Sequence, residues 1–305
     1  MDPILKQLKQ NNAVCLQVAS CRALGNIPDK KAVEPLIKYL KDLKGSRMRY
    51  EANAALRALT GQDFSPDAGT WDGWWQKNNA DFKPVTEPKL DLNYELKADK
   101  KEELTFFEIP IVENRIVFVF DISGSMQLGG KPNRLDKTRE QLKDLINRLD
   151  EGKALFNIIT FGSNVKRWIK DQPLVPASAA NKKSACAFLD ETKPVGATAT
   201  IEAMEEALRE VALINGVETI FLLTDGMPNP LMAHSNVRSL AEVPKGVEDI
   251  RRRFRFINQT MKVRIHTIGV YTRVAGDPQE PDQETLKKFL YNVATDSDGV
   301  YKEVP

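Results

Sequence analysis

Sulfur and imidazole are scarce in this chain: its 305 residues hold three cysteines, Cys15, Cys21 and Cys186, and two histidines, His234 and His266. So few thiols exclude a disulfide framework, and no zinc-ligand spacing can be assembled from them, so the cysteines read as buried reduced thiols. Charge of one sign is also missing. Lys and Arg number 44 against 42 Asp and Glu, a formal net charge of +2, which leaves no electrostatic footprint for nucleic acid. Long apolar runs are absent as well: nothing approaches the ~20 residues that cross a bilayer. The amino end, MDPILKQLKQNN, lacks the apolar core of a signal peptide. Neither export nor anchoring is indicated, and the compartment stays open.

The first 60 residues repeat themselves. DPILKQLKQ (2–10) resembles EPLIKYLKD (34–42), and CRALG (21–25) resembles LRALTG (56–61). Val14, Val18, Cys21 and Leu24 form one helical stripe, with Gly25 expected as its stop. Val33, Leu36, Ile37 and Leu40 form another. The helix pairs resemble HEAT-type repeats, with offsets shorter than that family's usual period. Because 2–10 matches the second helix of a unit, the chain is expected to start inside a longer solenoid, whose surface would bind a second protein. Trp71, Trp74 and Trp75 are expected to pack the open end of the last repeat. Residues 79–104 are rich in charge and proline, the composition of a linker. The expected organisation is a helical repeat segment over 1–78, a linker over 79–104 and a second domain over 105–305.

From residue 105 short strands alternate with helices. RIVFVFD (115–121), FNIITFG (156–162), ETIFLLTD (218–225) and VRIHTIGV (263–270) are rich in Val, Ile, Phe and Thr. Between and after them lie RLDKTREQLKDLINRL (134–149), TIEAMEEALREVALI (200–214) and PDQETLKKFLYNVATD (281–296). This pattern predicts an α/β domain: a doubly wound, mostly parallel sheet covered on both faces, preceded by the small all-α segment. Ligands of such sheets bind beyond the carboxyl ends of the strands, where Asp121 and Asp225 both fall.

FVFDISGSMQLGG (118–130) ends the first of these strands. A phosphate-binding loop does not fit, because Gly130, Lys131 and Pro132 stand where Lys and Ser/Thr are required. A serine hydrolase does not fit either, since neither serine lies in GxSxG. Asp121, Ser123 and Ser125 form an oxygen-only set around a tight bend at Gly124, and such sets suit hard cations that keep several waters, Mg²⁺ above all. As turn formers or helix caps, the same residues taken singly have an ordinary structural reading. His266 reads as a core histidine, and Asp136, Glu202 and Asp249 as solvated helix charges.

DISGSM resembles the DxSxS motif of von Willebrand factor type A (VWA) domains. PVGATAT (194–200) is similar to that family's Gly-Gly-Thr loop, and LLTDGMPN (222–229) to its Thr-Asp-Gly. The resemblance spans about 106–305 and implies a Rossmann-like VWA fold with a metal ion-dependent adhesion site of Asp121, Ser123, Ser125, Thr198 and Asp225. Ala197 and Ala199 depart from the pattern, and Thr200 stands as an alternative to Thr198. The resemblance further implies that Mg²⁺, with Mn²⁺ or Ca²⁺ as alternatives, is held directly by the serines and mainly through water by the acids. Its open position would then take a Glu or Asp carboxylate from a partner protein. On this reading the protein is an adhesion or scaffold module and not an enzyme. The alternatives are a Mg²⁺-dependent hydrolase and a structural module with a vestigial metal site. Asp121→Ala is expected to abolish partner binding while leaving stability intact.

Overall fold

The computed structural model describes residues 2–10, 14–43, 47–92, 104–212, 216–226, 228, 243–271 and 283–304. Contacts divide the chain into two compact units, Met1–Lys100 and Lys101–Pro305.

The first unit is all-helical: α1 (Asp2–Gln10), α2 (Val14–Asn26), α3 (Val33–Asp42), α4 (Arg47–Thr60) and α5 (Ala68–Asn78). Both expected stripes are buried, Val14, Val18, Cys21 and Leu24 on α2 and Val33, Leu36, Ile37 and Leu40 on α3. The Asp29 carboxylate accepts from the Lys31 N–H at 2.8 Å at the entry to α3. Asp67 caps α5, accepting from the Thr70 N–H at 2.7 Å, so each entry satisfies an otherwise orphan donor. Gly25 is not the stop that its position suggested, since α2 runs one residue past it. A Cβ at Gly25 would stand 2.8 Å from the Cα of Ala55, and its role is to let α2 and α4 approach. Pro28 follows and cannot continue a helix.

Trp71 is fully buried and its Nε1–H donates to Asn53 Oδ1 at 2.7 Å. Trp74 and Trp75 pack edge-on against Phe82, with ring centroids 5.6 and 5.3 Å apart. The stretch expected as a free linker therefore begins as a strap on the helices. Besides Phe82, the Val85 N–H donates to the Leu59 carbonyl at 2.9 Å, and Leu90 joins the helical core. Proline and charge in 79–92 signal irregular backbone, which is compatible with packing. Residues 93–103 lie outside the described residues. All three cysteines are free, but Cys21 alone is buried while Cys15 and Cys186 are half-buried.

In the second unit a two-stranded ribbon, β1 (Thr105–Phe106) and β2 (Ile109–Pro110), precedes the main sheet. That sheet comprises β3 (Arg115–Asp121), β4 (Leu155–Phe161), β5 (Val165–Arg167), β6 (Val175–Pro176), β7 (Thr219–Thr224), β8 (Arg264–Val270) and β9 (Tyr301–Val304). The order is β5-β4-β3-β7-β8-β9, with β6 also on β4. β3, β4, β7, β8 and β9 are mutually parallel, whereas β5 and β6 run antiparallel to β4. Helices α6 (Arg134–Arg148), α7 (Ala179–Asp190), α8 (Thr200–Glu205), α9 (Val243–Met261) and α10 (Gln283–Thr295) cover it.

Alternation along β3 splits the core. Val117 and Val119 join the cluster that includes α8, α9 and α10, while Ile116, Phe118 and Phe120 join the one that includes α6 and α7. Apolar residues on both faces explain why the strands are continuous apolar runs. Leu286, Phe289, Leu290 and Val293 of α10 are buried as the stripe predicted. The helix expected over 200–214 differs. After α8 the backbone widens into a π-helical stretch, Glu206–Ala212, and 213–215 lie outside the described residues. From β3 the chain passes to β4 on one side and later to β7 on the other, so the carboxyl ends of β3 and β7 flank the point where the winding reverses.

Candidate functional site

β3 stops at Asp121 and β7 stops one residue before Asp225, and the two strands are neighbours. Their carboxyl ends deliver both acids to the same edge. The chain after β3 turns at once: Asp121 Oδ1 accepts from the Ser123 N–H at 2.7 Å, and Gly124–Gln127 form a single 3₁₀ turn. Met126, the residue after the second serine, is fully buried with Phe118, Phe120 and Leu135. It plugs the loop into the core, where Ser123 is also buried while Ser125 is half-buried.

The two serine hydroxyls of this loop and the second acid, Asp225, form a chain of short contacts. Ser123 Oγ and Ser125 Oγ lie 3.1 Å apart, and the Ser125 hydroxyl donates to Asp225 Oδ1 at 2.7 Å. Asp121 Oδ2 accepts from the Thr224 hydroxyl, which ties the ends of β3 and β7 together. Arg134, the first residue of α6, was not among the residues singled out from sequence. Its Nη1 donates to Asp225 Oδ2 at 2.9 Å, and both side chains are buried.

The loop before α8 docks through backbone bonds. The Val195 N–H donates to the Ile122 carbonyl at 2.7 Å, and the Gly124 N–H to the Gly196 carbonyl at 3.1 Å. Gly196 has φ +57°, a left-handed position where an L side chain is strained. A Cβ there would also lie 1.8 Å from Ser163 Oγ. Ala197 is not among the left-handed residues, and its N–H donates to Ser163 Oγ at 3.0 Å. The departure from a second glycine is thus tolerated by the backbone. Thr198 lies against Gly226, whose absent Cβ would be 3.1 Å from Thr198 Oγ1. It also lines a hollow of about 350 Å³ shared with Ser163, Asn164 and Glu202. Thr200, by contrast, is fully buried at the start of α8, with no hydrogen-bond partner for its hydroxyl among the described residues. Thr198 is therefore the threonine on the open side.

Burial, and then the nearby Asp225 carboxylate, push the Asp121 carboxyl up to about 7 against the lowering pull of Thr224 and Ser123. Burial likewise raises Asp225, opposed by Ser125 and Arg134. Two buried acids facing one another raise each other's pKa unless a cation offsets them. Because Asp121 is fully buried and accepts two hydrogen bonds, the expectation that Asp121→Ala leaves stability intact is corrected. Truncation would orphan the Ser123 N–H and leave the Thr224 hydroxyl only its longer contact to the Gly226 carbonyl at 3.2 Å.

The donors present are carboxylate and hydroxyl oxygens, and among the described residues no group of three or more His, Cys, Asp or Glu forms a cluster able to hold a metal ion. Carboxylate and hydroxyl oxygens are the donor chemistry of a hard cation. His266 is buried in β8, stacked on Phe221, and its Nδ1 accepts from the Val300 N–H at 3.0 Å. His234 lies outside the described residues. No described helix is long and apolar enough to cross a membrane.

Residues 114–262 match the family model described as von Willebrand factor type A domain. Inter-alpha-trypsin inhibitor heavy chain H3 of Bos taurus is 29% identical over 147 residues, which is 43% of this chain and 15% of that protein. The chain thus spans about 15% of the length of the curated relatives it matches. Among solved structures, a von Willebrand factor type A protein from Catenulispora acidiphila has 18% identity and a TM-score of 0.45, covering 63% of this chain and 39% of that one. Proximal thread matrix protein 1 from the mussel byssus, solved with a zinc-occupied MIDAS motif, has 25% identity and a TM-score of 0.39, covering 62% and 40%.

Proposed function

We propose, for a chain that carries a von Willebrand factor type A domain over residues 114–262, that its second unit is a divalent-cation-dependent protein-binding module. Asp121, Ser123, Ser125, Thr198 and Asp225 would hold Mg²⁺, with Mn²⁺ or Ca²⁺ as alternatives. The observation that carries this reading is the short oxygen chain Ser123, Ser125, Asp225, with contacts of 3.1 and 2.7 Å, backed by the buried Asp121. When bound, the ion supplies a Lewis-acidic position for a Glu or Asp carboxylate of a partner protein. The two hydroxyls are neutral donors and leave that position electrophilic. The acids behind them offset charge and orient the hydroxyls. Leu128 and Val195, on the two loops that carry the hydroxyls, are exposed large apolar residues, suited to the apolar centre of a protein contact.

Binding fits this set better than catalysis. Both acids are engaged by hydroxyls or Arg134, and His266 sits within the sheet, so among the described residues no histidine is poised beside the oxygens as a general base. The first unit we read as HEAT-like, with α2 and α3 as one helix pair, offering a second protein-binding surface. The test is capture of partner proteins by the full chain with Mg²⁺ and with chelator, together with calorimetry using Mg²⁺ alone. Chelator-sensitive capture and saturable Mg²⁺ heat are expected. Capture that is indifferent to chelator, with no divalent-ion heat at millimolar concentration, would move the interaction away from this site.

A further inference from the structure

Arg134 is held at the candidate site from both ends. Its backbone N–H donates to the Leu128 carbonyl at 3.0 Å, and its own carbonyl accepts the Thr138 hydroxyl. Asn133 caps the helix just before it, accepting from the Asp136 N–H at 2.8 Å. The guanidinium is therefore delivered to Asp225 by a rigid helix start that is itself tied to the serine loop. Each Asp225 oxygen has a different partner, Ser125 on Oδ1 and Arg134 on Oδ2. Among the residues around this cluster, it supplies a permanent positive charge, since arginine stays protonated at any working pH.

We propose that Arg134 is a built-in third charge of the cation site, lowering its affinity for a divalent ion while keeping the bound centre cationic. The inference rests on the metal-centre reading above. With both acids ionised, Asp121 and Asp225 contribute two negative charges and Arg134 one positive. The cluster is then monoanionic before an ion enters and carries a single positive charge afterwards. Without Arg134 the same ion would be neutralised by the two acids alone. A centre left with one positive charge is matched by one carboxylate, so the arginine weakens retention of the ion by itself and favours an anionic partner over a neutral amide. An arginine serving only to brace the loops would predict the reverse, because its loss would misplace Asp225 and weaken the ion.

The test compares the full-length wild type with Arg134→Gln and Arg134→Lys, titrating Mg²⁺ and Mn²⁺ alone by calorimetry and by the metal-induced rise in melting temperature. Arg134→Gln should bind the ion about tenfold more tightly, a change on the scale of altered contacts behind a metal centre, and should show the larger thermal shift. Arg134→Lys, which keeps the charge, should stay near wild type. If Arg134→Gln folds only when the ion is added, that rescue supports the inference. If it stays unfolded at an ion concentration that saturates wild type, the role is structural and the inference falls. Equal or weaker binding by a folded Arg134→Gln also overturns it while leaving the metal centre in place. A wild type that binds neither ion overturns both.

Discussion

Gly162 lies directly beneath the carbonyl of Val195: a Cβ on residue 162 would stand 2.3 Å from that oxygen. The contact joins the end of β4 to the loop that carries Thr198, and the Ala199 N–H returns to the Gly162 carbonyl at 2.9 Å. Gly162→Ala must push this loop away. The variant should lose about 1–3 kcal/mol, the usual cost of inserting a methyl into a packed site, and should bind Mg²⁺ more weakly because Thr198 moves with the loop. Thermal melts with and without Mg²⁺ measure both effects. Unchanged values would mean that the loop yields freely and does not position Thr198.

Asp121→Asn and Asp121→Ala should differ. The amide keeps an acceptor for the Ser123 N–H, so Asp121→Asn should stay folded while its ion affinity falls roughly 10-fold to 100-fold. Asp121→Ala should in addition lose about 1–3 kcal/mol, because the Ser123 N–H is orphaned and the Thr224 hydroxyl keeps only its longer contact to the Gly226 carbonyl. Melting both variants in chelator isolates the stability difference, and equal melting temperatures there would count against the two hydrogen bonds seen at this carboxylate.

In the helical unit, Trp71→Phe removes the donor to Asn53 and shrinks a fully buried ring. It should cost about 1–3 kcal/mol through the buried amide oxygen left behind, with the Mg²⁺ affinity of the second unit unchanged. Urea unfolding of the full chain together with calorimetry checks this, and a shifted affinity would show that the two units are coupled.

Glu51 is buried and accepts from Arg22 and from Arg47, with Nη2 contacts of 2.9 Å in each case. Glu51→Gln keeps the shape but takes away the negative charge beside two guanidiniums. The expected loss is about 3–5 kcal/mol, as for a buried pair robbed of one partner. Far-ultraviolet circular dichroism in a urea series reads it. A loss below 1 kcal/mol would mean that water reaches the cluster.

The strands, the helical stripes and the two strand-end acids were legible in the sequence because each rests on periodicity or on a local motif. Ser123, Ser125 and Asp225 come together as the motif implied, and Thr198 lies in the next loop beside Gly226. What stayed hidden depends on the third dimension. Gly25 looked like a helix stop because glycine often is one, and the methylene-sized gap to Ala55 has no local signature. Arg134 drew no notice, since nothing along the chain announces a partner 91 residues away. The π-helical stretch after α8 is set by packing and leaves the apolar spacing of 201, 204 and 208 unchanged. The packing of 79–92 on the helices leaves no local signature, because composition reports regularity better than it reports contact.

The margins of the large sheet carry a consequence for behaviour at high concentration. On one side β4 is finished by two very short antiparallel pieces, three and two residues long, the longer of which is a Val-Lys-Arg triplet. On the other side β9 presents Lys302 and Glu303, paired to Glu108 and Lys287. A second molecule seeking to continue the hydrogen-bond ladder would have to strip these ion pairs at one margin and find only a stub at the other. The unit is thereby guarded against edge-to-edge fibre growth.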